Sequence, residues 1–277
     1  MLGQTVLEKL QPLKKFYIHT GNVNQHGDLK LQRFANSAEE FKACLSYLNI
    51  IQDSGVNEHG VLLLNSNSLT ETPFERDDLK ITLKIFLQEF DFTQIEKAVE
   101  GTLRELNTDN IEQLIVSFPM LDYPENVKTE EEEDKLFITE VMKLWKELEE
   151  FVKTHKVTNL GVADFSLNQL TQLFDQALIK PCVNHFNIDA CCVVPPELHK
   201  YASENDIQLL THNDPAPFPV AEAFKEICAL KCTSATSCGT FHPTWAARYT
   251  AWVRRRSLMA AKGYIIEFTG EQEQTNH

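Results

Sequence analysis

The sequence predicts an α/β fold built on a parallel sheet, and three observations carry that prediction. Short runs rich in β-branched and aromatic residues alternate with longer stretches of helical periodicity, the pattern of βαβ units. Their apolar runs suit strands covered on both faces. The length of 277 residues fits one (β/α)8 barrel of about 250 residues, taken here as a single domain spanning 1–277.

Taken in order, Met1 to Phe16 alternates polar and apolar residues and lacks the apolar core of a secretory leader. Strands are predicted at Phe16 to Thr20, Leu79 to Phe86, Ile111 to Phe118, Asn159 to Val162, Cys182 to Ile188, Ile207 to Thr211 and Gly263 to Phe268. Helices fall between them, and three pairs fit a capping box: Ser37 with Glu40, Thr93 with Glu96, and Ser166 with Gln169. In such a box the cap oxygen accepts from an unpaired N–H at the helix start. Leu136, Val141, Leu144, Trp145, Leu148 and Val152 recur at helical spacing, so this segment is a long amphipathic helix with Trp145 in the core. The acidic run Glu130 to Asp134 is expected as a solvated loop just before that helix. Asn22 to Ser37, Asp53 to Asp78 and His212 to Pro243 are less regular, the last expected as a long surface excursion.

A formal net charge of −14 argues against a nucleic-acid partner, which needs a basic face. No apolar run approaches the roughly 20 residues that span a bilayer, so no membrane role is expected and the chain reads as cytoplasmic. The seven cysteines then read as reduced thiols. Cys228, Cys232 and Cys238, with His242 beyond them, match no paired zinc-ligand spacing, and no metal is expected. Cys191 and Cys192 read as a buried strand end.

Four segments carry a resemblance: Lys80 to Phe86, Asn110 to Pro119, Leu160 to Phe165 and Lys180 to His185. In order and separation they resemble the aldo-keto reductases. The resemblance implies a (β/α)8 TIM barrel of that type, shortened at its C-terminus. It also implies NADPH-dependent carbonyl reduction by a proton-donating Tyr, a Lys and an Asp that tune it, and a His that orients the carbonyl. Lys84 matches the Lys, but Ser117 stands at the His position, and neither Asp53-Ser54-Gly55 nor Asn65 to Ser68 supplies the Tyr. Of the cofactor residues, the Ser-Asn pair is matched by Ala163-Asp164, the Gln by His185, and the ring-stacking Tyr by His212. The phosphate-binding positions past Lys262 are Gly263 and Phe268. The run Leu209 to Pro215 closes a strand where an enzyme would carry chemistry and is expected to hold none. What remains is a vestigial nucleotide groove of Lys84, Asp164, Asn184, His185 and Asn213, expected at the C-terminal strand ends.

A second resemblance spans almost the whole chain. His19 to Asn22, Ala190 to Leu198, Asp206 to Pro215 and Lys262 to Ile265 resemble the family of regulatory (modifier) subunits of glutamate–cysteine ligase. This implies a non-catalytic chain that forms a heterodimer with the ligase's catalytic subunit in glutathione biosynthesis. It would raise the partner's apparent affinity for glutamate and ATP and relieve inhibition by glutathione, with no cofactor required. The alternatives are an NADP(H)-binding redox sensor and a residual reductase. For the partner surface, Trp245, Tyr249 and Trp252 followed by Arg254, Arg255 and Arg256 combine residue types enriched at binding hot spots. The same spacing also fits a barrel helix with its aromatics in the core and its arginines in solvent.

Overall fold

The computed structural model describes residues 15–46, 60–63, 73–124, 127–188, 193–215, 218 and 241–270. Their strands form one mixed sheet: β1 (Lys15–His19), β2 (Val61–Leu63), β3 (Leu79–Leu87), β4 (Ile111–Ser117), β5 (Val157–Ala163), β6 (Val183–Asn187), β7 (Gln208–His212), β8 (Phe241–Val253) and β9 (Met259–Gly270). The order is β2-β1-β9-β8-β3-β4-β5-β6-β7. From β3 to β7 every neighbour is parallel. The helices α2 (Phe92–Glu105), α3 (Glu130–Lys153), α4 (Leu167–Gln176) and α5 (Pro196–Glu204) alternate with them, while α1 (Ser37–Ser46) precedes them. Among the described residues no helix is long and apolar enough to cross a membrane.

The α/β class and the run of parallel βα units are as the sequence predicts; the closure is not. The order is linear, so among the described residues β2 and β7 are edges and no backbone hydrogen bonds close the cylinder. Residues 241–270 form a long antiparallel hairpin, inserted between β1 and β3. A hairpin needs only a short turn where a parallel pair needs a helical crossover. The segment around Trp245 to Trp252 is therefore a strand and not a helix, and its first residues take up the end of the expected surface excursion. Its aromatic spacing fits a helix, but burial alternates with period two, and Pro243 sits beside a bulge where a missing N–H is tolerated.

Strand alternation assigns the two faces. On β3, Ile81, Leu83 and Ile85 are fully buried in the main core beneath the helices, with Leu114, Trp145 and Trp245. Lys80, Thr82 and Lys84 point to the inner face. Near β1 and β9 that inner face is apolar and covered by α1, whose Phe41 and Leu45 pack on Phe16, Tyr264 and Ile266. Each fully buried aliphatic or Phe side chain contributes about 1.5–3 kcal/mol, so these two clusters fix which face each strand presents.

Caps and charges refine the reading. The Ser166–Gln169 capping box forms in both directions at α4. At α1 the cap is Asn36, which accepts from Glu39 N at 3.0 Å, in place of Ser37. At α2 it is Asp91, which accepts from both Thr93 N and Thr93 Oγ1, in place of Thr93 itself. The acidic run is no loop: Glu130 to Glu133 fill the first turn of α3, where the helix dipole favours negative charge. Asp134 is buried and accepts from Asn168 and Gln169, tying α3 to α4.

Two glycines mark close approaches. A Cβ on Gly161 would lie 2.8 Å from Val183 Cβ, and one on Gly263 would overlap the Gly21 carbonyl and the Tyr249 hydroxyl. Gly263→Ala is expected to lower stability by about 1–3 kcal/mol through overpacking, measured by urea unfolding, with Gly27→Ala as the control in open space.

Candidate functional site

The inner face encloses a cleft of about 790 Å³ between the sheet and residues 32–40. At its upper end Lys84 from β3 and Arg248 from β8, cross-strand neighbours, converge on Asp214 just past β7. Lys84 Nζ lies 2.9 Å from Asp214 Oδ2, and Arg248 grips both oxygens, Nη1 to Oδ1 at 2.5 Å and Nη2 to Oδ2 at 3.0 Å. Lys84 and Asp214 are only 2% and 3% exposed, so each charge depends on the other. Burial would raise the Asp214 pKa, but Arg248 and Lys84 hold it far below the usual carboxylate range. Burial lowers Lys84 to about 8 against the pull of Asp214.

His212 organises the neighbouring strand ends. Its Nδ1 accepts from Asp214 N at 3.0 Å, which puts the proton on Nε2, and Nε2 donates to Asp164 Oδ1 at 2.9 Å. Asp164, in a left-handed backbone conformation, also accepts from Asn187 N, and Asn187 Nδ2 returns a bond to the Asp214 carbonyl. This network locks the ends of β5, β6 and β7 around one carboxylate. The Leu209 to Pro215 run, expected to hold no catalytic chemistry, carries the carboxylate at the centre of this ion-pair cluster.

The expected groove residues take different roles. Lys84, His185 and Asn213 line the cleft. Asn184 is fully buried, and its amide is used in both directions by the Phe165 backbone. Asp164 and Ser117 instead border a smaller cavity of about 190 Å³, shared with Lys84, Asp214 and Phe218. Asn213 donates to the Ala35 carbonyl across the cleft. Trp245 and Tyr249 are fully buried on the helix face, whereas Trp252 is 38% exposed and Arg254, Arg255 and Arg256 are exposed in the β8–β9 turn. Sequence reading missed Arg248, Asp214 and Glu40 as site members. The signal for Arg248 was present in β8, where Arg248, Thr250 and Trp252 alternate with Ala247, Tyr249 and Ala251. Cys191, Cys192, Cys228, Cys232, Cys238 and the Asp53 to Gly55 and Asn65 to Ser68 stretches lie outside the described residues. His242 is exposed on β8, and among the described residues no three His, Cys, Asp or Glu side chains converge to hold a metal.

At Lys84, the residue matching the reductase Lys, the ammonium is paired with Asp214, a carboxylate that Arg248 shares. Tyr264, cross-strand from Arg248, is fully buried, bonded to Glu40, and held well above its ordinary pKa by burial and by Glu40. A tyrosine acting as a general acid near neutral pH needs the opposite shift. Of the residues at the family's cofactor positions, Asn184 is bonded to the Phe165 backbone, Asp164 to His212, and Phe268 is buried in the α1 core.

His185 packs edge-on against His212 at 4.4 Å, and burial, then Lys84, His212 and Arg248, lower its pKa to about 3. The unfolded chain takes up this proton below its ordinary value of 6.5, the folded one only near 3, so stability falls as pH drops through that window. His185→Gln should flatten the loss of Tm between pH 7 and pH 4, measured by scanning calorimetry.

Comparison with known proteins gives a consistent picture. Residues 47–213 match the model of the aldo/keto reductase family. The glutamate–cysteine ligase regulatory subunit of Homo sapiens is 28% identical over 263 residues, covering 92% of each chain. That of Mus musculus is 28% identical over 91% of each. A crystal structure of an aldo-keto reductase complexed with NADPH superposes with a TM-score of 0.40 at 19% identity, covering 52% of this chain and 43% of that one. With the family model spanning more than half of its length, the chain belongs to the aldo/keto reductase family.

Proposed function

We propose that this chain is a non-catalytic regulatory subunit of a glutamate–cysteine ligase. In this reading it forms a heterodimer with the catalytic subunit in the cytoplasm, raises its apparent affinity for glutamate and ATP, and relieves glutathione inhibition. The observation that carries the reading is end-to-end similarity, over 92% of both chains, to a relative bearing that name. Ser117 at the position of the reductase His supports it, because the side chain that would orient a carbonyl is absent there. No cofactor is required. A regulator of this kind must bind one conformation of its partner better than another, and a coupling of about 1–3 kcal/mol gives a 5–150-fold effect.

The partner face is assigned to the β8–β9 turn. Arg254, Arg255 and Arg256 stand exposed beside Leu258, 46% exposed, and Trp252, a basic and apolar patch on an acidic chain. Arg254 is tied back to Glu112, whereas Arg255 and Arg256 are exposed and have no ion pair among the described residues. The double variant Arg255→Glu/Arg256→Glu is expected to weaken the complex by roughly tenfold or more in titration calorimetry, with Tm unchanged. Wild-type affinity in that variant would move the interface elsewhere.

A further inference from the structure

Below the Lys84–Asp214–Arg248 cluster the cleft continues along the inner face, and strand register sets its wall in rows. Lys80 on β3 lies opposite Trp252 on β8, which in turn lies opposite Met259 on β9. One pleat higher, Gln113, Thr82, Thr250 and Lys262 form a continuous polar row across four strands. All of these side chains line the cleft. A closed barrel of this type fills its interior with branched apolar side chains. This one carries hydroxyls, amides and ammonium groups there.

The charge balance is the telling feature. The lining holds four cations, Lys80, Lys84, Arg248 and Lys262, against two carboxylates, Glu40 and Asp214, in a chain of formal net charge −14. Asp214 is taken by Lys84 and Arg248, and Glu40 by Lys262. Lys80 is left half-buried with no ion pair among the described residues. The cleft lining also holds the Ser37 hydroxyl, 5% exposed; neither it nor Nδ1 of His185 has a hydrogen-bond partner among the described residues. A partly desolvated cation and unsatisfied polar groups lining one cleft are an unfavourable state that a bound anion would relieve at the cation. The volume lies in the range of small-molecule sites, about 300–1,000 Å³, and Trp252 and Met259 supply the apolar wall such sites use.

We infer that this cleft binds a small organic anion, its carboxylate or phosphate group at Lys80 and the Thr82–Thr250 row, its carbon skeleton against Trp252 and Met259. The site lies on the sheet's inner face, apart from the exposed arginines of the turn, and the inference is independent of any partner protein.

The test uses the full chain with citrate and pyrophosphate as carboxylate and phosphate probes, at ionic strength held constant with sodium chloride. Trp145 and Trp245 are fully buried, so a change in tryptophan fluorescence on binding reports Trp252, with titration calorimetry alongside. The expected result is saturable binding of at least one probe, weakened roughly tenfold or more by Lys80→Met and by Thr250→Val, and unchanged by Lys200→Met on an exposed helix. Which probe binds identifies the acidic group. No saturable signal from either probe, or equal binding by wild type and a folded Lys80→Met chain, would overturn the assignment.

Discussion

Asp214→Ala is expected to destabilise the fold by about 3–5 kcal/mol, because it leaves Lys84 and Arg248 buried side by side with their shared counter-charge gone. For a chain of this size that is a fall in Tm of roughly 10 °C. Lys84→Met should cost far less, since Arg248 still grips both Asp214 oxygens and the methionine fills much of the same volume. The asymmetry separates a central anion from a conventional ion pair, where either deletion would cost about the same. Asp214 also has a defined pH signature. Its folded pKa lies below its ordinary 3.8, so its contribution is complete above that value and is lost only as pH falls through the much lower folded one. Asp214 therefore adds little acid sensitivity between pH 7 and 4, where His185 and, by burial, His26 contribute, so the Asp214 and His185 variants should affect separate parts of the stability–pH curve.

Trp245→Ala is expected to cost about 3–5 kcal/mol, the other large effect, and to weaken partner binding only through that loss of folded protein. Its ring is fully buried between the sheet and α2, touching Tyr17 and reaching toward Gly101. Its Nε1 has no hydrogen-bond partner among the described residues, so Trp245→Phe should be much milder than the alanine variant. Thermal unfolding of both variants, with partner binding measured well below Tm, distinguishes a core residue from an interface residue. A stable Trp245→Ala chain that fails to bind would return Trp245 to the interface.

These residues also mark how far the sequence could be read. The parallel strands were legible because Ile81, Leu83 and Ile85, or Leu114 and Val116, present strong apolar runs bounded by turns and helices. The β8 strand was not. Trp245, Tyr249 and Trp252 sit at spacings of four and three, which fit a helix, and the alternation that places Tyr249 on the helix-covered face and Trp252 on the cleft face is masked by small alanines. Caps at α1 and α2 were misplaced because Asn36 and Asp91 compete with Ser37 and Thr93 one or two residues away. Lys84 was found through a family pattern, but Asp214 lies 130 residues further on. That pairing depends on strand order and backbone geometry, which no local sequence window contains. The linear strand order of the described residues was hidden for the same reason, since hairpin and crossover connections differ in tertiary pairing more than in local composition.

The regulatory reading is tested most directly by the initial rate of purified glutamate–cysteine ligase catalytic subunit, with and without this chain, across glutamate concentration and with glutathione present. The account predicts a lower apparent KM for glutamate and weaker glutathione inhibition, with both effects diminished by Arg255→Glu/Arg256→Glu. Unchanged kinetics, with the two chains eluting separately, would contradict it.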